Sequence, residues 1–165
     1  MKRILGFVLV LTGGTLACRQ DPRPIAEPPQ TVVLDSAALS DVLHPCSRQA
    51  PTNVTGVWSP SLAEVRRADS LVTAELALRL GEIPRLAPWH PSTSDYYRQY
   101  VGLLIGGHKV VYVNGFLRAT VHDYQDSLAW RHSYVVVCDG GEGYFGAEVW
   151  LPENAVRAFA FNGRA

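Results

Sequence analysis

Charge is scarce in this chain: only 18% of its 165 residues are Asp, Glu, Lys or Arg, and the formal net charge is zero. Setting Lys2 and Arg3 aside leaves 13 basic residues against 15 acidic ones. A chain so balanced has no electrostatic footprint for DNA or RNA, which removes nucleic acid from the expected partners. Catalytic signatures are missing as well, with no nucleophile elbow, P-loop, Rossmann glycine pattern or paired-carboxylate motif, and no cofactor is implied. The five histidines never fall into an H-x-x-x-H or comparable short spacing, so no zinc site follows from them. There is no apolar run long enough to cross a bilayer as a permanent helix. Cysteine is limited to Cys18, Cys46 and Cys138.

What is present begins with an export layout: a basic start at Lys2 and Arg3, a short apolar stretch, then small residues up to Cys18. Thr15-Leu16-Ala17-Cys18 resembles the lipobox of bacterial lipoproteins, in which the cysteine is acylated and becomes the mature N-terminus. The alternative is a soluble secreted or periplasmic protein cut after Ala17. Arg19 follows the cysteine where an Asp would imply inner-membrane retention, so the resemblance implies an outer-membrane lipoprotein held in the cell envelope by its lipid. Residues 19–30, RQDPRPIAEPPQ, carry four prolines and no apolar period. They read as an extended tether that holds a domain roughly 35 Å from its anchor. The expected partition is therefore a signal peptide over 1–17, a lipidated Cys18 with its tether over 18–30, and one domain over 31–165. In an oxidising compartment, Cys46 and Cys138 are expected to form one disulfide, a closure worth about 4 to 5 kcal/mol in the chain-entropy model.

The domain is organised around Tyr96 to Phe116, where two apolar runs flank Gly106-Gly107. A two-glycine loop supplies the positive φ angles of a tight hairpin. Its register places Ile105 opposite His108, Leu103 opposite Val110, Val101 opposite Tyr112, Gln99 opposite Asn114 and Tyr97 opposite Phe116. Neither face is cleanly polar, so both are expected to be covered, one by a helix and one by loops or a partner. Gly102, opposite Val111, offers a shallow spot for that helix.

Asp35 suits the cap of a short helix carrying Leu34, Ala38 and Val42, stopped before Pro45. Cys46 to Ser59 reads as loop. A long amphipathic helix opens at Ser59-Pro60 or, through a capping box, at Ser61 and Glu64, and runs to about Gly81 with Leu62, Val65, Ala68, Val72 and Leu76 in one stripe. Leu117 to His132 is a polar, aperiodic loop. Ser133 to Cys138 reads as a strand, Asp139 to Gly143 as a turn, Tyr144 to Leu151 as a strand and Val156 to Phe161 as another. The expected fold is α+β: N-terminal helices, then an antiparallel meander of four to five strands packed on one long helix.

Three stretches bear on chemistry. The aromatics Tyr97, Tyr100, Tyr112 and Trp130 offer a binding surface, or else cover for the sheet. His122, Asp123 and His132 share the 117–132 loop and would permit acid-base chemistry, or solvated loop positions. Asp139 and Glu142 in the Gly-rich turn present oxygens that suit a hard cation, or a plain turn.

The segments YYRQYVG, VVYVNGF, VVVCDGGEGYFG and FAFNGRA resemble those of uncharacterised bacterial lipoproteins and secreted proteins. The helix-then-meander order is also similar to the cystatin-type fold, whose inhibitors use a Gln-x-Val-x-Gly hairpin and a later Pro-Trp. Here Gln99-Tyr-Val101-Gly102 is one residue short and Pro88-Trp89 precedes it. The expected function is a non-enzymatic, envelope-tethered module that binds a protein or envelope ligand. The alternative is a hydrolase or metal-dependent enzyme built on the 117–132 loop.

Overall fold

The computed structural model describes residues 30–84, 90–121 and 128–164. The export segment, Cys18, most of the tether, Trp89, His122 and Asp123 lie outside the described residues. Among the described residues, no helix is long and apolar enough to cross a membrane.

The hairpin forms as its sequence dictates. Strands β3 (Tyr96–Ile105) and β4 (His108–Leu117) pair antiparallel in the expected register, from Ile105 opposite His108 to Tyr97 opposite Phe116. Gly106 and Gly107 take φ values of 55° and 81°, where a side chain would be strained. Further on, β5 (Tyr144–Trp150) pairs with β4, and β6 (Ala155–Phe161) pairs with β5, so the back half is the expected meander.

The sheet has six strands rather than four or five. The two unexpected strands both lie on the outer edge of β3. Strand β1 (Thr31–Val33) runs parallel to Arg98–Tyr100, and β2 (Val54–Trp58) runs antiparallel against Gly102–Ile105. Each is too short to show an alternation of its own, and tertiary pairing supplies what local pattern does not. Gly102 therefore meets strand backbone instead of a helix: a Cβ built there would lie 2.1 Å from the Trp58 carbonyl oxygen.

Helix α2 (Leu62–Glu82) covers one face of the sheet. Ser61 is its cap, and the full capping box with Glu64 forms in preference to the Ser59-Pro60 start. Val65, Ala68, Val72 and Leu76 are buried against Tyr100, Val111, Phe145 and Val149. Leu62, expected in that stripe, is exposed at the first helical position. Below the helix, Arg98 Nε donates to Asp69 Oδ1 at 2.8 Å, and the Tyr100 hydroxyl donates to the same oxygen, so a buried cation on a central strand has a partner. Burial, reinforced by Asp69, holds the Tyr100 hydroxyl well above the ordinary phenol range.

The opposite face is covered in two parts. Asp35 caps a 3-10 turn (Ser36–Ala38) that leads into α1 (Leu39–Leu43), and Leu34, Ala38 and Val42 pack on Val101, Leu103 and Tyr112. The remainder is covered by an irregular strap that follows α3 (Arg118–Val121) and a 3-10 turn (Ala129–Arg131). Residues 133–138, expected as a strand, run through this strap outside the sheet. The result is an α+β fold with a six-stranded, mostly antiparallel sheet and one long helix.

Candidate functional site

The strap stays off the sheet because side chains, not a neighbouring strand, satisfy its backbone. Gln99 Nε2 donates to the carbonyls of Trp130 and Ser133, and Gln99 Oε1 accepts from the Val135 amide at 3.0 Å. Asn114 Nδ2 donates to the Val135 carbonyl at 2.9 Å, while Asn162 Nδ2 donates to the carbonyls of Val137 and Asp139 at 2.7 and 3.0 Å. Arg48 joins the amides, donating from Nη2 to Asn114 Oδ1 at 2.9 Å and from Nη1 to Asn162 Oδ1. Gln99, Asn114 and Asn162 are all buried, so each amide holds its backbone partner away from competing water. Gly146 makes room for this core: a Cβ there would sit 2.7 Å from both Arg48 Nε and the Tyr112 hydroxyl. The far end of the strap is fixed by the disulfide between Cys46 and Cys138, whose Cα atoms lie 4.9 Å apart across 92 residues of sequence.

Where the strap leaves the 3-10 turn, it does not close completely. A cleft of about 340 Å³ opens between α3 and the strap, lined mainly by Phe116, Val121, Trp130, Tyr134, Val135 and Val136. Nearly all of that lining is aliphatic or aromatic, and Thr120 and Ser133 add two hydroxyls. One hydroxyl is occupied, since Tyr144 donates to Thr120 Oγ1 at 3.0 Å. Burial pushes the Tyr134 hydroxyl well above the ordinary phenol range, with Tyr112 adding to the effect.

Tyr97, Tyr100, Tyr112 and Trp130 do not form an exposed aromatic face. All four are buried, Tyr100 on the helix side and the others under the strap. Tyr97 and Trp130 stack with ring centroids 4.3 Å apart and planes 15° apart. Of the four, only Trp130 lines the cleft. These rings are buried because both faces of the sheet need apolar cover, and the strap delivers Trp130 as part of it.

Of the loop residues proposed for acid-base chemistry, His132 alone lies among those described. It is exposed and lines a small polar cleft of about 220 Å³ with Asp35 and Asp41. Asp139 is exposed, and its carbonyl is taken by Asn162. Glu142 pairs with Arg164 at 2.8 Å; its own backbone N–H, then Arg164, hold the carboxyl below the usual range. Among the described residues, no group of three or more His, Cys, Asp or Glu side chains converges to hold a metal ion. Gln99-Tyr-Val101-Gly102 runs through the buried middle of β3, far from the hairpin turn.

Sequence reasoning missed the buried amides and the cleft they frame. One signal was available: Gln99 and Asn114 face each other in the middle of an otherwise apolar hairpin, and a buried amide pair demands partners. Comparison of the chain with protein-family models, curated proteins and solved structures gave no match.

Proposed function

We propose that this chain is a non-enzymatic binding module of the bacterial envelope, tethered through Cys18 and residues 19–30, that receives an apolar group of a protein or envelope ligand. The receiving site is the cleft beside Trp130. What carries this reading is an opening of about 340 Å³ whose lining is mainly aliphatic and aromatic. That volume lies at the lower end of ligand-sized pockets, and its walls are apolar with a few polar groups. The export layout and proline tether of the sequence favour display over free diffusion. The helix-then-meander frame, similar to the cystatin type, serves here as scaffold. The hydrolase alternative keeps only His132 among the described residues.

The test is a titration of the folded chain with 1-decanol, followed through the methyl resonances of Val121, Val135 and Val136. Saturable shifts confined to the cleft are expected. Val136, 47% exposed on the cleft wall, allows a blocking substitution without disturbing the core. Val136→Phe is expected to abolish those shifts at unchanged melting temperature. Shifts spread over the surface, or none at all, would remove the reading.

A further inference from the structure

One attachment of the strap is open to solvent. Cys46 and Cys138 are both exposed, whereas the amide side chains that hold the strap, Gln99, Asn114 and Asn162, are buried. Exposed disulfides are the ones external thiols reach, and they supply the labile and regulatory members of the class. This bond also joins two arms of the buried core. Ser47 and Arg48 follow Cys46: Ser47 Oγ accepts from the Gly163 amide at 2.7 Å, and Arg48 donates to Asn114 and Asn162. Cys138 lies between Val137 and Asp139, whose carbonyls both accept from Asn162. Through Asn114 the path reaches the Val135 carbonyl, and Val135 lines the cleft. Arg48 does not hold this position by its own bonds alone. Its partners Asn114 and Asn162 are neutral, and its Nε is buried with no hydrogen-bond partner, so a charge that water would solvate better is kept among amides. The covalent bond two residues away opposes its departure.

We infer that the disulfide between Cys46 and Cys138 is a redox latch on the strap, and that its reduction by an external dithiol loosens the cleft wall while the sheet stays folded. In the first step a thiolate of the dithiol attacks one of the two sulfurs, a mixed disulfide forms, and the other cysteine leaves as a thiolate and takes a proton. The second thiol of the dithiol then displaces the remaining cysteine. Two protein thiols result, and the dithiol, having given two electrons and two protons, becomes a disulfide itself. Neither cysteine belongs to a strand, since Cys46 lies between α1 and β2 and Cys138 lies in the strap, so the sheet ladders do not pass through the bond. The latch stands on the strap contacts alone; its consequence for a ligand rests on the binding reading above.

The experiment treats the folded full chain with dithiothreitol, without denaturant, and follows hydrogen exchange together with the 1-decanol titration. Mass analysis after alkylation should show the bond cut in the native state. Protection of the Val135 and Gly163 amides, which donate to Gln99 and Ser47, is expected to fall about tenfold or more, the weight of one hydrogen bond. Amides of β4 and β5 should keep theirs, decanol should bind more weakly by a similar factor, and reoxidation should restore both. Arg48→Gln, with the disulfide intact, should loosen Val135 in the same way and leave it insensitive to dithiothreitol. Three results would overturn the latch: a bond cut only when the chain unfolds, loss of protection throughout the sheet, which marks a plain structural staple, or no loss at Val135 and Gly163. Selective loosening with unchanged decanol affinity would overturn its control of the cleft. If decanol bound neither the oxidised nor the reduced chain, the binding reading would fall by itself, and the exchange data would still decide the latch.

Discussion

The two faces of this sheet are covered by different physics. Under α2, the cover is a regular helix whose apolar stripe meets Tyr100, Val111, Phe145 and Val149, and Asp69 of that helix pairs with Arg98 of the sheet. On the other face, polar groups occupy the centre: Gln99, Asn114, Asn162 and Arg48 hold an irregular strap by its backbone. Apolar packing is non-directional and tends to fill its space, whereas hydrogen bonds fix a chain at chosen points and leave gaps between them. The cleft lies on the strap face for that reason.

The largest effect should come from the filled face. Phe145 is fully buried and makes an edge contact with Tyr96 and a stacked contact with Phe159, at centroid distances of 5.6 and 5.1 Å. Phe145→Ala is expected to cost about 4 kcal/mol in urea unfolding, through lost transfer energy and the cavity left behind. The loss should lower the stability of the whole domain, measured equally at amides of β4, β5 and the strap. A loss confined to the strap would break the comparison.

Next is the amide core. Asn114→Leu keeps the volume close but strips Arg48 Nη2, Gln99 Oε1 and the Val135 carbonyl of a partner. The expected cost is about 3 kcal/mol, since each orphaned buried group carries a penalty of about 1 to 3 kcal/mol and the strap can relax to meet some of them. Hydrogen exchange separates this from the first variant. The Val135 amide, which donates to Gln99, should lose protection well before the amides of β5 do. Uniform loss across the sheet would mean that strap and sheet unfold as one unit.

The same contrast explains what could be read from residue order alone. The hairpin register, the helix stripe and the meander follow from periods of two and 3.6 and from Gly106-Gly107, all local signals. The cysteine pair followed from its expected compartment. Strand β1 and strand β2 did not show, because three and five residues acquire their strand character from β3. The run from Ser133 to Cys138 has a strand's β-branched composition and an extended course, yet its hydrogen bonds go to side chains that lie 21 to 36 residues away. Composition reports that a segment is extended; only the partners decide whether it joins a sheet. The cleft depends on those partners, so it was hidden with them.

The smallest effect sharpens the contrast from the helix side, at the cap of α2. The Ser61 hydroxyl and backbone N–H both donate to the Glu64 carboxylate, at 2.6 and 2.8 Å, and the Glu64 amide donates back to Ser61 Oγ at 3.4 Å. The Ser61 side chain, then its backbone N–H, hold the Glu64 carboxyl below its ordinary value of 4.5. A depressed carboxyl contributes its stability above the unfolded value and loses it as pH falls through the folded one. Ser61→Ala should therefore cost about 1 kcal/mol at pH 7, the usual scale of a lost N-cap. Part of that difference should fade below the ordinary value of 4.5, as Glu64 protonates in both proteins. The Asn114→Leu difference involves no titrating carboxylate and should persist across the same range. Melting curves of the two variants against the parent, taken from pH 7 to pH 3, check this. If the Ser61→Ala gap held constant into acid, the capping box would contribute through the hydroxyl's bond to the helix backbone alone, and the charged half of the pair would carry no weight on this face.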